Sequence, residues 1–129
     1  MKLSAFSILV PDYGSGLAFF RDTLGFDLCE DVDQGRKRWI TLRAPGSDTR
    51  IVLARADTPA QQAAIGNQAG ERVWLFLQTD DFERDHTRLT RAGIIFEEEP
   101  RDEPYGRVAV FRDPFGNRWD LICPGPTPL

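Results

Sequence analysis

The sequence predicts an α+β fold made of one strand–helix–three-strand module used twice, and three observations predict it. The order of hydrophobic patterns in the first half returns in the second. Two pairs of punctuating residues, Asp12 with Asp80 and Gly25 with Gly93, stand sixty-eight positions apart, which a repeated module explains economically. The chain has 129 residues, 41% of them hydrophobic, enough for one compact domain with a real core and too few for two independent ones.

The elements follow in order. "LSAFSILV" alternates with period two, so Phe6, Ile8 and Val10 face one side and Leu3, Ala5, Ser7 and Leu9 the other. Pro11, Asp12, Gly14 and Gly16 break the strand. From Ser15 the run "SGLAFFRDTLGF" places Leu17, Phe20 and Leu24 at helical spacing, with Gly25 as its stop. "FDLCEDV", "RWITLR" and "RIVLARA" are three strands separated by "DQGRK" and "APGSDT", whose Gly, Pro and Asp suit turns. In the second half "RVWLFLQ" is a strand, "DDFERDHTRLTRAG" an amphipathic helix ending at Gly93, and "IIFEEE", "GRVAVFR" and "NRWDLIC" three further strands. Between them "DTPAQQAAIGNQAGE" reads as a helical turn with Thr58 as N-cap and Pro59 in first position, then a Gly/Asn loop. The expected organisation is a single domain over 1–129, with module one at 1–55, a linker or lid at 56–71 and module two at 72–125. In "FRDPFGNRWDL", Pro114 and Gly116 suit a turn whose first task is structural.

Charge and composition exclude several classes. Sixteen basic and twenty acidic residues give a net charge of −4, and no basic stripe is available to neutralise a phosphate backbone, so nucleic acid is not an expected partner. The apolar N-terminal run stops at Pro11, short of secretory or membrane-spanning length. Cys29 and Cys123 lack CxxC spacing and read as half-buried thiols. The expectation is a soluble cytoplasmic protein with no membrane partner.

Three stretches, "VPDYGSGLAFFRDTLGF", "TDDFERDHTRLTRAGIIFEEEP" and "VAVFRDPFGNRWDL", together make the chain resemble the vicinal oxygen chelate superfamily. That superfamily holds glyoxalase I, extradiol dioxygenases, fosfomycin-resistance enzymes and bleomycin-resistance proteins. The resemblance covers nearly the whole chain. It implies the glyoxalase/bleomycin resistance/dihydroxybiphenyl dioxygenase fold: two βαβββ modules whose curved mixed sheets form an open cup, with helices on the convex face and a site on the concave one. It also implies a homodimer.

In the metal-dependent members, the resemblance implies a His on the first strand of each module and a carboxylate on the last. Ala5 and Trp74 occupy the His positions here, the strand from Arg50 to Ala54 holds no carboxylate, and Asp120 stands where the family usually has Glu. His86, the one histidine, lies on the inward face of the second helix between Phe82 and Leu89 and reads as a packing residue. A two-His, one-carboxylate centre therefore lacks its donors. No metal and no cofactor are expected.

Alternation assigns Leu3, Ala5, Ser7, Trp74, Phe76, Asp120 and Ile122 to the concave side, and Phe6, Val73, Leu75, Trp119 and Leu121 to the helix side. The expected ligand-binding residues are Ser7, Trp74, Phe76, Asp120 and Ile122: an apolar, aromatic pocket with one acid, suited to an aromatic or cationic small molecule. Trp39, Tyr105 and Arg107 are rim candidates, with Trp39 and Trp119 read foremost as packing residues. Against an open pocket stands a filled one, in which Trp74 occupies the void and Asp120 pairs with Arg118 or another surface base. The functional expectation is a metal-independent small-molecule binding protein of the bleomycin-resistance-like type. The alternatives are a glyoxalase- or dioxygenase-like enzyme with a divergent site and a dimeric interaction module without a ligand.

Overall fold

The computed structural model describes residues 1–126. The chain divides into two compact units, Met1–Gln68 and Ala69–Leu129. Each carries a four-stranded mixed sheet with few helices, so the fold is α+β as expected.

In the first unit, strand β1 (Ala5–Val10) leads into helix α1 (Tyr13–Leu17) and a π-helical turn at Ala18–Thr23. Strands β2 (Asp27–Asp33), β3 (Arg38–Arg43) and β4 (Arg50–Arg55) follow, then the short helix α2 (Pro59–Ala64). The sheet order is β1-β4-β3-β2, with β1 parallel to β4 and the other pairs antiparallel. The apolar phase of β1, β3 and β4 is buried, whereas β2 leaves Leu28 and Val32 exposed. Ile8, Val10, Ile40 and Leu42 are 0% exposed, and Leu17, Phe19, Phe20, Leu24 and Phe26 are buried with them.

The first helix begins earlier than its sequence suggests. Asp12 is extended and its carboxylate accepts from Ser15 N at 2.7 Å and from Ser15 Oγ at 2.8 Å, so it caps a helix starting at Tyr13 rather than breaking the chain. Gly16 is required by packing: a Cβ there would lie 2.8 Å from Leu53 Cδ1. Beyond Leu17 the winding widens, with Leu24 N donating to Phe19 O, and two consecutive rings, Phe19 and Phe20, are both buried. The linker turn forms as expected, Thr58 Oγ1 accepting from Gln61 N at 3.1 Å with Pro59 in first position. Its far end is fastened to β1 by Gln68, which accepts from Leu9 N at 2.8 Å and donates to Ser7 O at 3.3 Å.

The second unit repeats the scheme with β5 (Val73–Gln78), α3 (Phe82–Arg91), β6 (Arg101–Glu103), β7 (Gly106–Arg112) and β8 (Arg118–Pro124) in the sheet order β5-β8-β7-β6. Asp81 caps α3 through Arg84 N, acids fill its first turn and arginines its last, which complements the helix dipole. The expected strand "IIFEEE" is not a strand. Phe96 makes one isolated bridge to Phe111, and regular pairing begins only at Arg101, after Pro100. The glutamates explain why: Glu97 and Glu98 turn to Arg112, Arg118 and Arg101 in ion pairs instead of alternating across a sheet.

The turn before β8 is structural, as its residues suggest. Gly116 has a φ of 103°, and buried Asp113 accepts from Phe115 N, Asn117 N, Asn117 Nδ2 and Trp119 Nε1 at 2.9 to 3.0 Å. Cys29 and Cys123 are free and half-buried. Among the described residues no helix is long and apolar enough to cross a membrane.

Candidate functional site

Asp120 sits at the centre of β8. Its register partners are Phe76 on β5 and Val110 on β7, while Ile122 next along the same face is paired with Gln78 and Val108. Residues in register share a face of the sheet. Phe76, Asp120 and Ile122 are therefore brought together as the alternation requires.

Trp74 does not simply continue that row. β5 carries a bulge between Val73 and Leu75, which leaves Trp74 as the extra residue and puts Val73, expected on the helix side, in register with Arg118. Alternation has no means of showing such an insertion. Ser7 lies in the first unit, exposed on β1.

The chemistry of this face is uneven. Phe76 is 58% exposed while Asp120 is only 8% exposed. Asp120 Oδ1 is buried without a hydrogen-bond partner among the described residues. Pairing of Asp120 with Arg118 is not what forms, because Glu97 holds Arg118 at 2.7 Å and Arg112 at 2.6 Å. Arg101 is likewise held by Glu98 at 3.0 Å and Glu103 at 2.6 Å. Burial pushes the Asp120 carboxyl above its ordinary range; Arg101 and Arg118 pull against this and Glu98 adds to it. The result is an acceptor that lacks a donor, beside an exposed aromatic ring.

Of the rim candidates, Arg107 falls on the other side of the sheet. It is in register with Cys123, out of phase with Asp120, and its guanidinium lies 5.3 Å from the Phe82 ring centroid while pairing with Glu83 and Asp102. Tyr105 is half-buried. Trp119 is a packing residue at 2% exposure, but Trp39 is 38% exposed. Its Nε1 donates to Glu30 Oε2 at 2.8 Å, and Glu30 also holds Arg50, so it is a fixed surface ring and not core.

A feature that sequence reasoning missed lies beside α3. A groove of about 680 Å³ is lined by His86 and Thr90 on the helix, by residues 93–96, and by Glu97, Glu98 and Glu99. His86 stacks on Phe82 and packs at a tilt against Phe96, with ring centroids at 5.5 and 4.2 Å. The column continues through Phe111 to Trp119 at 5.5 and 5.7 Å. The packing role expected for His86 is present, and the groove exists because the segment after Gly93 does not pair as a regular strand.

A transition-metal centre does not fit these residues. Among the described residues no three His, Cys, Asp or Glu side chains come together in a way that can hold a metal ion. Ala5 and Trp74 offer no ligand atoms, and the position on β4 two residues after Arg50 is Val52.

Comparison with known proteins agrees on the family. The model of the Glyoxalase/Bleomycin resistance protein/Dioxygenase superfamily matches residues 2–121. An uncharacterised protein of Shewanella frigidimarina is 48% identical over 119 residues, covering 90% of this chain and 88% of its own. Among solved structures, TnmS3, an antibiotic binding protein from Streptomyces sp. CB03234, is 32% identical with a TM-score of 0.78, covering 97% of both chains. A superfamily member from Sphaerobacter thermophilus is 25% identical with a TM-score of 0.75, covering 95% of this chain and 96% of its own.

Proposed function

The chain belongs to the Glyoxalase/Bleomycin resistance protein/Dioxygenase superfamily, and on that premise we propose that it is a metal-independent small-molecule binding protein of the bleomycin-resistance-like kind, acting as a homodimer. The observation that carries the reading is the pairing of exposed Phe76 with Asp120, whose buried Oδ1 has no donor among the described residues. A buried acceptor left unpaired costs free energy, and a guest that brings the missing donor recovers it. The ring supplies stacking area and the carboxylate favours a positive group. An aromatic cation combines both. The likeness to an antibiotic-binding protein at 32% identity supports a binding role, and the absent imidazoles weigh against metal chemistry.

Isothermal titration with aromatic cations and their neutral isosteres tests this. Asp120→Asn should weaken the cations roughly tenfold, the scale of one hydrogen bond to a charged group, and leave the isosteres nearly unchanged. Phe76→Ala should weaken both. Equal losses for cation and isostere in Asp120→Asn would refute the role given to the acid. One tightly held Ni, Zn, Fe or Mn per chain in protein purified without chelator would overturn metal independence. Sedimentation equilibrium decides the dimer.

A further inference from the structure

We propose that the groove beside α3 is a second binding site, for a small aromatic ammonium ion, separate from Phe76 and Asp120. Its volume of about 680 Å³ falls within the span of small-molecule pockets, roughly 300–1,000 Å³. Its wall is apolar along Ile94, Ile95 and Phe96, and Ile95 stands 79% exposed. His86 lines the groove and makes no hydrogen bond among the described residues. An imidazole so placed has ring nitrogens to offer a guest.

Charge selects the guest. Glu97 lies between Arg112 and Arg118, and Glu98 shares Arg101 with Glu103, so three carboxylates and three guanidiniums cancel. Glu99 has no ion pair among the described residues, so the groove carries one uncompensated carboxylate beside an aromatic wall. An ammonium group meets Glu99 while its ring packs against Phe96 and His86. Carboxylate and phosphate guests meet the same negative charge and are disfavoured.

The single histidine of the chain makes the test direct, since its ring Hε1 gives one proton resonance. Titration with 2-phenylethylammonium at constant pH should move that resonance saturably. Phenylacetate should not move it. Glu99→Gln should weaken the midpoint at least threefold, while Asp120→Asn and Phe76→Ala leave it unchanged. A resonance that does not saturate, an equal response to phenylacetate, or an unchanged midpoint in Glu99→Gln would overturn the proposal. So would loss of the response in Asp120→Asn, which would assign the signal to the other site; failure of the cation titrations at Asp120 alone leaves the groove standing.

Discussion

Asp120 is held in the folded chain at a cost to stability. Its carboxyl is pushed up by burial, so the folded protein binds that proton more tightly than the unfolded chain does. Stability from this group is greatest below the ordinary aspartate value and is lost as pH rises through the folded one. Asp120→Asn should therefore stabilise the fold at pH 7 by about 1 kcal/mol, seen as a higher melting temperature, and the difference should close as the solution is acidified below the ordinary aspartate value of 3.8. Calorimetry across pH measures both. Asp113 is the opposite case, with four donors satisfied on one buried carboxylate. Asp113→Ala should cost about 3 kcal/mol in urea unfolding, because it orphans buried donors. Asp120 was legible in the sequence through its position on an alternating strand. Its missing partner was not, because that depends on Glu97 and Glu98 claiming the nearby arginines.

At the scale of elements, strands were read better than their irregularities. Strand patterning located β1, β2, β3, β4, β5, β7 and β8, but it cannot reveal the bulge that displaces Trp74, nor the ion pairs that keep residues 94–99 out of a regular strand. The glycines before Leu17 read as breakers, whereas Asp12 starts a helix across them and Gly16 admits close contact with Leu53. Gly16→Ala should destabilise the protein by about 1–3 kcal/mol through overpacking, read as a lower urea midpoint. Gln68 fills hydrogen-bonding positions on β1 with a side-chain amide, and no pattern in the sequence announces it. In Gln68→Ala the Leu9 amide should exchange with solvent markedly faster, while the Ile40 and Leu42 amides keep their protection.

For the molecule as a whole, ordinary acids oppose Asp120. Glu97 is lowered by its hydrogen bond to Arg118; at Asp85 burial pushes up, but hydrogen bonds from Arg84 and Thr79 outweigh it. Each contributes stability above its unfolded value that is lost as pH falls through the folded one. The urea midpoint should thus fall between pH 5 and pH 3 in the parent, and less steeply in Glu97→Gln. The repeated module was legible in the sequence because its markers keep one spacing, and that spacing extends to Arg50 and Arg118, which open β4 and β8 opposite Ala5 and Val73. The groove was not legible, since it arises from where the repeat fails.

Val52 and Asp120 occupy the same step of their strands, each two positions beyond the opening arginine. The halves have become non-interchangeable there, one aliphatic and one acidic. A recombinant made by joining the second half to itself inherits a pair of such acids, and its folding should deteriorate toward alkaline solution more sharply than that of the natural chain.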